Sequence, residues 1–140
     1  MVAVLDTNHF TELVRDSSVG QRLRVRLKDR QVSAFTTVVN AQEITEGWCA
    51  LINRQSAGEL QVKAYAQFQH SLELMMELNL FPFDSASAVL FHKLHATHRH
   101  IGTMDLKIAS ICMTHDTLLL SRNLLDFEKV PGLRVENWLD

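Results

Sequence analysis

Val2 to Leu5 is an unbroken apolar run that stops on Asp6-Thr7-Asn8, the pattern of a strand buried on both faces that delivers polar side chains at its C-terminal end. Phe10, Leu13 and Val14 follow at helical spacing, and Asp16-Ser17-Ser18 breaks that helix and caps a basic one over Val19 to Lys28. Gln31 to Phe35 reads as a second strand. Thr36 or Thr37 then caps a long helix whose apolar positions, Val38, Val39, Ala41, Ile44, Trp48, Leu51 and Ile52, recur at threes and fours.

Gly58 opens another helix through Val62, Tyr65, Phe68, Leu72, Met75 and Met76, and Leu80 to Phe83 reads as a strand, although Pro82 removes one ladder donor. Ala86 to Thr97 is helical, Gly102-Thr103 is a break with a cap, and Met104 to Met113 is apolar nearly all round, as a helix inserted into a core would be. Leu118 to Leu120 and Leu133 to Trp138 close the pattern as two more strands. Strands separated by helices imply a parallel α/β sheet, and such sheets carry their sites beyond the C-terminal ends of their strands.

At 140 residues and 46% hydrophobic, the chain has the size of one globular domain with a real core. A carboxylate at position 6 interrupts the first apolar run before it reaches secretory length, and no stretch approaches the roughly 20 apolar residues of a membrane span. A cytoplasmic protein without a membrane segment is expected. Cys49 and Cys112 lie apart within apolar helical patterns and are expected to be reduced, packed thiols. The net charge of -2 excludes a general polycation, so any affinity for nucleic acid must come from a local basic surface or a bound metal.

Three acids stand where a charge is costly to bury unless it is paired or bound to a cation. Asp6 ends the first strand, Glu43 lies in a largely apolar helix, and Asp105 sits in the first turn of the core helix. Alone, each has an ordinary explanation as a cap, a solvated side chain or a partner of a helix dipole. Together, if they converge, their repulsion raises some of their pKa values until a divalent cation neutralises them. Hard oxygen ligands favour magnesium or manganese, ions suited to phosphodiester hydrolysis.

These residues resemble the PIN domain, and more narrowly the VapC-type toxins of bacterial toxin-antitoxin pairs. The resemblance rests on Leu5-Asp6-Thr7-Asn8, on Glu43, on the run Ile101 to Ala109 around Asp105, and on Ser121-Arg122-Asn123-Leu124-Leu125-Asp126-Phe127 followed by Val130-Pro131-Gly132-Leu133 and Trp138. It covers almost the whole chain. It implies a three-layer α/β/α sandwich around a short, mainly parallel central sheet, with residues 1–140 forming a single PIN domain.

The implied activity is hydrolytic cleavage of single-stranded or looped RNA by an Mg2+-dependent (or Mn2+-dependent) endoribonuclease. Asp6 and Asp105 would bind the metal most directly, Glu43 would complete the cluster or help activate water, and Thr7 and Asn8 would hold the geometry around them. Family members carry Thr at the position of Ser121 and Asn or Asp at that of Asn123. They often carry an acid at that of Asp126, so the resemblance implies that a fourth carboxylate, if there is one, is Asp126, with Asn123 then orienting a water or phosphate. The resemblance also implies a homodimer and a cognate antitoxin that masks the acidic site.

Other signals carry less. Arg22, Arg24, Arg26, Lys28 and Arg30 alternate with apolar residues, which spreads them around a helix; Arg22 and Arg26 are the candidate RNA contacts among them. His92, His95, His98 and His100 lack the spacing of a zinc site and read as a polar helix face. Trp48, Trp138 and Met75-Met76 read as core, and Glu12, Asp16 and Glu46 as surface charges, with Glu46 one helical turn from Glu43. An aspartyl phosphatase would want a second Asp at position 8, where this chain has Asn8. A receiver-like phosphotransfer domain would want an acidic pair ahead of its phosphorylated strand. A catalytically silent RNA-binding or assembly module would lack acids that are present here.

Overall fold

Because the first strand is apolar on both sides, it belongs in the middle of a sheet covered on both faces, and that is where it lies. A computed structural model describes residues 1–140. Five strands, β1 (Val2–Leu5), β2 (Ser33–Thr37), β3 (Asn79–Phe81), β4 (Leu118–Leu120) and β5 (Val135–Glu136), form one sheet in the order β3-β2-β1-β4-β5, with every pairing parallel.

Seven helices connect and cover the strands: α1 (Thr7–Arg15), α2 (Ser18–Asp29), α3 (Val38–Asn53), α4 (Val62–Glu77), α5 (Ser85–Thr97), α6 (Thr103–Thr114) and α7 (Leu124–Phe127). The alternation of side chains along the strands sorts them into two layers. Ala3, Leu5, Leu118 and Leu120 pack with Phe10, Leu13, Leu23, Leu27 and Met75 of α1, α2 and α4. Val4 and Leu119 point the other way, onto Ile108, Ile111 and Cys112 of α6 and Phe127 of α7. The result is a three-layer α/β/α sandwich. Truncating a fully buried strand residue such as Leu119 to alanine costs about 2–5 kcal/mol, since it removes contacts on the central layer.

Local chemistry sets the close approaches. Ser17 caps α2 by accepting from the Gly20 N–H at 3.0 Å and donates to Glu12 at 2.6 Å, which ties α2 to α1. A Cβ at Gly20 would lie 2.1 Å from the Glu12 carbonyl oxygen, so only glycine lets these two helices touch.

Several boundaries differ from the sequence expectation. Gln31 has φ 53°, a left-handed turn that ends the α2 connection, so β2 begins at Ser33 and runs on through Thr36 and Thr37, which pair with Leu80 and Phe81. β3 occupies Asn79–Phe81 and leaves Pro82 beyond the ladder, where its missing donor is harmless. β5 is only Val135–Glu136, because the chain turns inward there to bury Trp138 and Leu139. Thr103 begins α6 without capping it.

The chain moves from β1 outward through β2 to β3, then crosses to β4 and β5 on the other side of β1. The connections therefore part at the C-terminal ends of β1 and β4, the position at which open parallel sheets hold their ligands. No helix is long and apolar enough to cross a membrane.

Candidate active site

Asp6 leaves β1 at this parting point and is both a helix cap and a buried acid. Its backbone is extended, its Oδ1 accepts the Thr7 N–H at 2.9 Å, and only 4% of the residue is exposed. Two side chains from distant parts of the chain complete its shell. The Asn40 Nδ2 donates to Oδ1 at 2.9 Å, and the Ser121 hydroxyl, just past β4, donates to Oδ2 at 2.6 Å.

Thr37 makes this arrangement possible. It ends β2 and caps α3, its Oγ accepting the Asn40 N–H at 3.0 Å while its hydroxyl donates to Asn40 Oδ1 at 2.7 Å. With the oxygen end of the Asn40 amide occupied, the NH2 end turns to Asp6 and to the Thr7 Oγ at 3.3 Å. Glu43 lies three residues along α3, on the same face, and accepts a hydrogen bond from the Thr7 hydroxyl. Its position opens onto a cleft of about 220 Å³ lined by Thr7, Thr11, Glu43, Trp48 and Arg54 among others.

The second half of the site lies across the Ser121–Asn123 turn. The Asn123 N–H donates to the Ser121 Oγ at 3.0 Å, and its Nδ2 donates to Asp105 at 3.1 Å and Asp126 at 3.2 Å. One amide therefore serves two half-buried carboxylates. Burial, and then the charges of Asp6, Glu43 and Asp126, push the Asp105 carboxyl up to about 6, against the weaker pull of the Asn123 hydrogen bond. Asp105 thus feels a carboxylate as distant in sequence as Asp6.

No three acidic, histidine or cysteine side chains sit together at metal-ligand spacing. The Asn123 amide bridges Asp105 and Asp126 against their mutual repulsion, and the acids do not close on a cage. The donor set still fits a hard divalent cation: it is all oxygen, it carries excess negative charge, and magnesium commonly takes one or two carboxylates and keeps its remaining waters. Asp6, Glu43, Asp105 and Asp126 are the residues available to hold such an ion.

Two positions beside the acids carry little signal in the sequence. Asn40 is a neutral polar residue in an apolar helix, and only its place three residues before Glu43 and three after a threonine cap hints at its role. His9 is fully buried, and burial together with the nearby Arg122 guanidinium lowers its pKa to about 4, so its ring is neutral. Its Nδ1 is 2.8 Å from Asn8 Oδ1, and its Nε2 accepts the Trp138 N–H at 3.1 Å.

Several other residues stand apart from the acids. Arg22, Arg26 and Arg30 are not scattered around α2: their spacing of four lines them along one groove of about 620 Å³, and Arg26 and Arg30 lie over the Trp138 ring at 4.5 and 5.1 Å. Cys112 is buried and its thiol is pushed up to about 12 by desolvation, but Cys49 lies on the exposed side of α3 rather than in the core. Trp48, Met75 and Trp138 pack on the core, whereas Met76 is exposed. Glu46 is exposed and accepts from Gln42, and Glu12 is no simple surface charge, since it pairs with Arg15 and Arg122 and accepts from Ser17. The histidines of α5 form no metal cluster, and His95 stacks on Phe91.

Comparison with solved structures gives matches over nearly full length at low identity. The VapBC-1 structure from nontypeable Haemophilus influenzae matches with TM-score 0.77 and 17% identity, covering 100% of both chains. VapBC2 from Rickettsia felis, bound to a DNA fragment from its promoter, matches with TM-score 0.75 and 18% identity over 99% of both chains. VapBC-5 from Mycobacterium tuberculosis, of the VapBC family of toxin-antitoxin systems, matches with TM-score 0.65 and 22% identity over 97% of this chain and 96% of that one. At these identities the likeness shows the fold. Comparison with curated proteins finds no significant match. The family model for the PIN domain matches residues 3–133, and the chain belongs to that family.

Proposed function

We propose that this chain, acting as a single PIN domain over residues 1–140, is the toxin of a toxin-antitoxin pair and a metal-dependent endoribonuclease. PIN domains generally use divalent metal ions, and the VapC-type toxins among them are in general nucleases. The solved structures of similar fold include toxin-antitoxin complexes, which supports a cognate antitoxin as partner. The observation that carries the reading is the hydrogen-bonded chain from Asp6 through Ser121 and Asn123 to Asp105 and Asp126 at the parting point of the sheet.

In this reading Asp6 and Asp105 hold Mg2+ or Mn2+ most directly, Glu43 completes the cluster or takes a proton from the attacking water, and Asp126 is the fourth acid. Bound there, the ion supplies polarisation of a phosphate oxygen and a lower pKa for the attacking water. Thr7 orients the Glu43 carboxylate, Ser121 and Asn40 fix that of Asp6, and Asn123 sets Asp105 against Asp126. Arg22 and Arg26, with Arg30 in the same stripe, contact the phosphates of single-stranded or looped RNA, whose bases side chains are able to reach. The protein works as a cytoplasmic homodimer.

The test is to incubate antitoxin-free protein and an Asp6→Asn variant with total RNA, with and without divalent metal, and map the new ends. Discrete metal-dependent cuts that the variant loses are expected. Equal cleavage by both proteins would discard the mechanism, and RNA binding without cutting, unchanged by EDTA, would identify a catalytically silent module instead.

A further inference from the structure

A site built from carboxylates needs hydrogen-bond donors as well, because its substrate is a phosphate. Most of the donors around the acids are already committed to the protein itself. The Asn40 and Asn123 amides hold Asp6, Asp105 and Asp126, the Ser121 hydroxyl holds Asp6, and the Thr7 hydroxyl holds Glu43. The Arg122 guanidinium faces away to Asp140, with both contacts at 3.2 Å, and to Glu12.

Asn8 differs. Its Oδ1 receives two donors, the His9 ring at 2.8 Å and the Arg122 N–H at 3.3 Å. Those donors fix which end of the amide is oxygen, and they leave Nδ2 with no protein acceptor. Asn8 is half-buried on the first turn of α1, bonded to the turn whose neighbours on either side hold Asp6 and Asp105.

Hydrogen-bond logic decides the state of His9. The Trp138 backbone N–H is able only to donate, so Nε2 accepts, and in a neutral ring the proton must then lie on Nδ1, facing Asn8. The ring is enclosed on all sides and its tautomer is set by a backbone group 129 residues away in the chain.

We propose that His9 is a positioning residue: held by Trp138 as the Nδ1–H tautomer, it fixes the Asn8 amide so that Asn8 Nδ2 donates to a phosphate oxygen of the RNA at the rim of the acidic site. The proposal rests on the ribonuclease reading above. It accounts for a buried, fully hydrogen-bonded histidine that neither metal binding nor proton transfer requires.

Three variants test it: Asn8→Ala, His9→Phe and the double change, with His9→Gln as the conservative replacement that retains a donor and an acceptor. Each single change is expected to lower RNA affinity, measured with an Asp6→Asn background in EDTA, by about tenfold, the effect of one hydrogen bond to a charged group. The double change should be no worse than Asn8→Ala, His9→Gln should recover most of the loss, and Mn2+ affinity in the otherwise unaltered protein should not move. Additive losses, or a loss of Mn2+ affinity equal to that of RNA, would overturn the relay. Nitrogen NMR of the folded protein reads the tautomer without any substrate, and a ring protonated on Nε2 overturns the proposal even if His9→Phe fails to fold. Wild-type protein that neither binds nor cuts RNA would reject the ribonuclease reading and the phosphate contact with it, while an Nδ1–H ring in the same sample would show that the failure lies in that reading and not in the His9–Asn8 geometry.

Discussion

Asp6 and Asp105 belong to one cluster but live in opposite surroundings. Asp6 is buried and its two oxygens are met by a backbone N–H, an amide and a hydroxyl from α1, α3 and the end of β4. Asp105 is half-buried, shares a single amide with Asp126, and is raised to about 6 by desolvation and three negative neighbours. The first is a structural keystone whatever occupies the site. The second is held in an unfavourable charged state at neutral pH and gains most from a cation.

The largest effect expected is on cleavage. Asp6→Asn and Asp105→Asn should each reduce metal-dependent RNA cutting by about a thousandfold or more, since each removes a charge from the ion-binding set and several kcal/mol of charge stabilisation go with it. Quantified cleavage of one mapped RNA site checks both. A variant that keeps a tenth of wild-type activity would remove its acid from the set.

Stability should separate what activity does not. Asp6→Ala leaves the Asn40 amide, the Ser121 hydroxyl and the Thr7 N–H without their acceptor and is expected to destabilise the fold by about 3 kcal/mol or more. Asp105→Asn removes a repelled charge and is expected to stabilise the metal-free protein at pH 7 by about 1–2 kcal/mol. Urea unfolding in EDTA compares them. Changes of the same sign in the two variants would erase the contrast between the two environments.

A third expectation concerns the ion itself. Magnesium at a hundred times its dissociation constant should stabilise wild-type protein by about 2.7 kcal/mol and Asp105→Asn by far less. Thermal melts with and without the metal measure this, and equal stabilisation of the two proteins would place the ion away from Asp105.

The contrast also explains what was legible in the chain. Asp6 and Asp105 announce themselves because each interrupts an apolar pattern at the edge of a strand or core helix, where a lone charge needs a reason. Asn40 and His9 do not. A neutral amide in a helix is unremarkable until Thr37 caps that helix and turns the amide toward Asp6, and the partner of His9 is a backbone group near the other end of the chain. The alternation of strands and helices followed from apolar periodicity and the three layers from the family resemblance, whereas β3 and β5 came out shorter than expected because edge strands end where their single neighbour ends. The α2 arginines alternate in sequence, yet 3.6 residues per turn gathers every fourth one into a stripe.

The smallest expected effect is the pH dependence of the wild type's metal-free stability, where a buried and a half-buried group oppose each other. His9 is lowered from 6.5 to about 4, so between those values the unfolded chain binds more protons and acidification destabilises the fold, by about 3 kcal/mol in full. Asp105 is raised from 3.8 to about 6, so the folded chain binds more protons between those values and the same acidification stabilises it, by about 2 kcal/mol after allowing for its partial exposure. The two contributions nearly cancel between pH 6 and pH 4. Urea unfolding in EDTA across that range should therefore show Asp105→Asn losing about 2 kcal/mol more stability than wild type, because the compensating proton uptake is gone. Parallel curves for the two proteins would mean that Asp105 is not raised in the folded state, and the distinction between the fixed and the repelled carboxylate would fall with it.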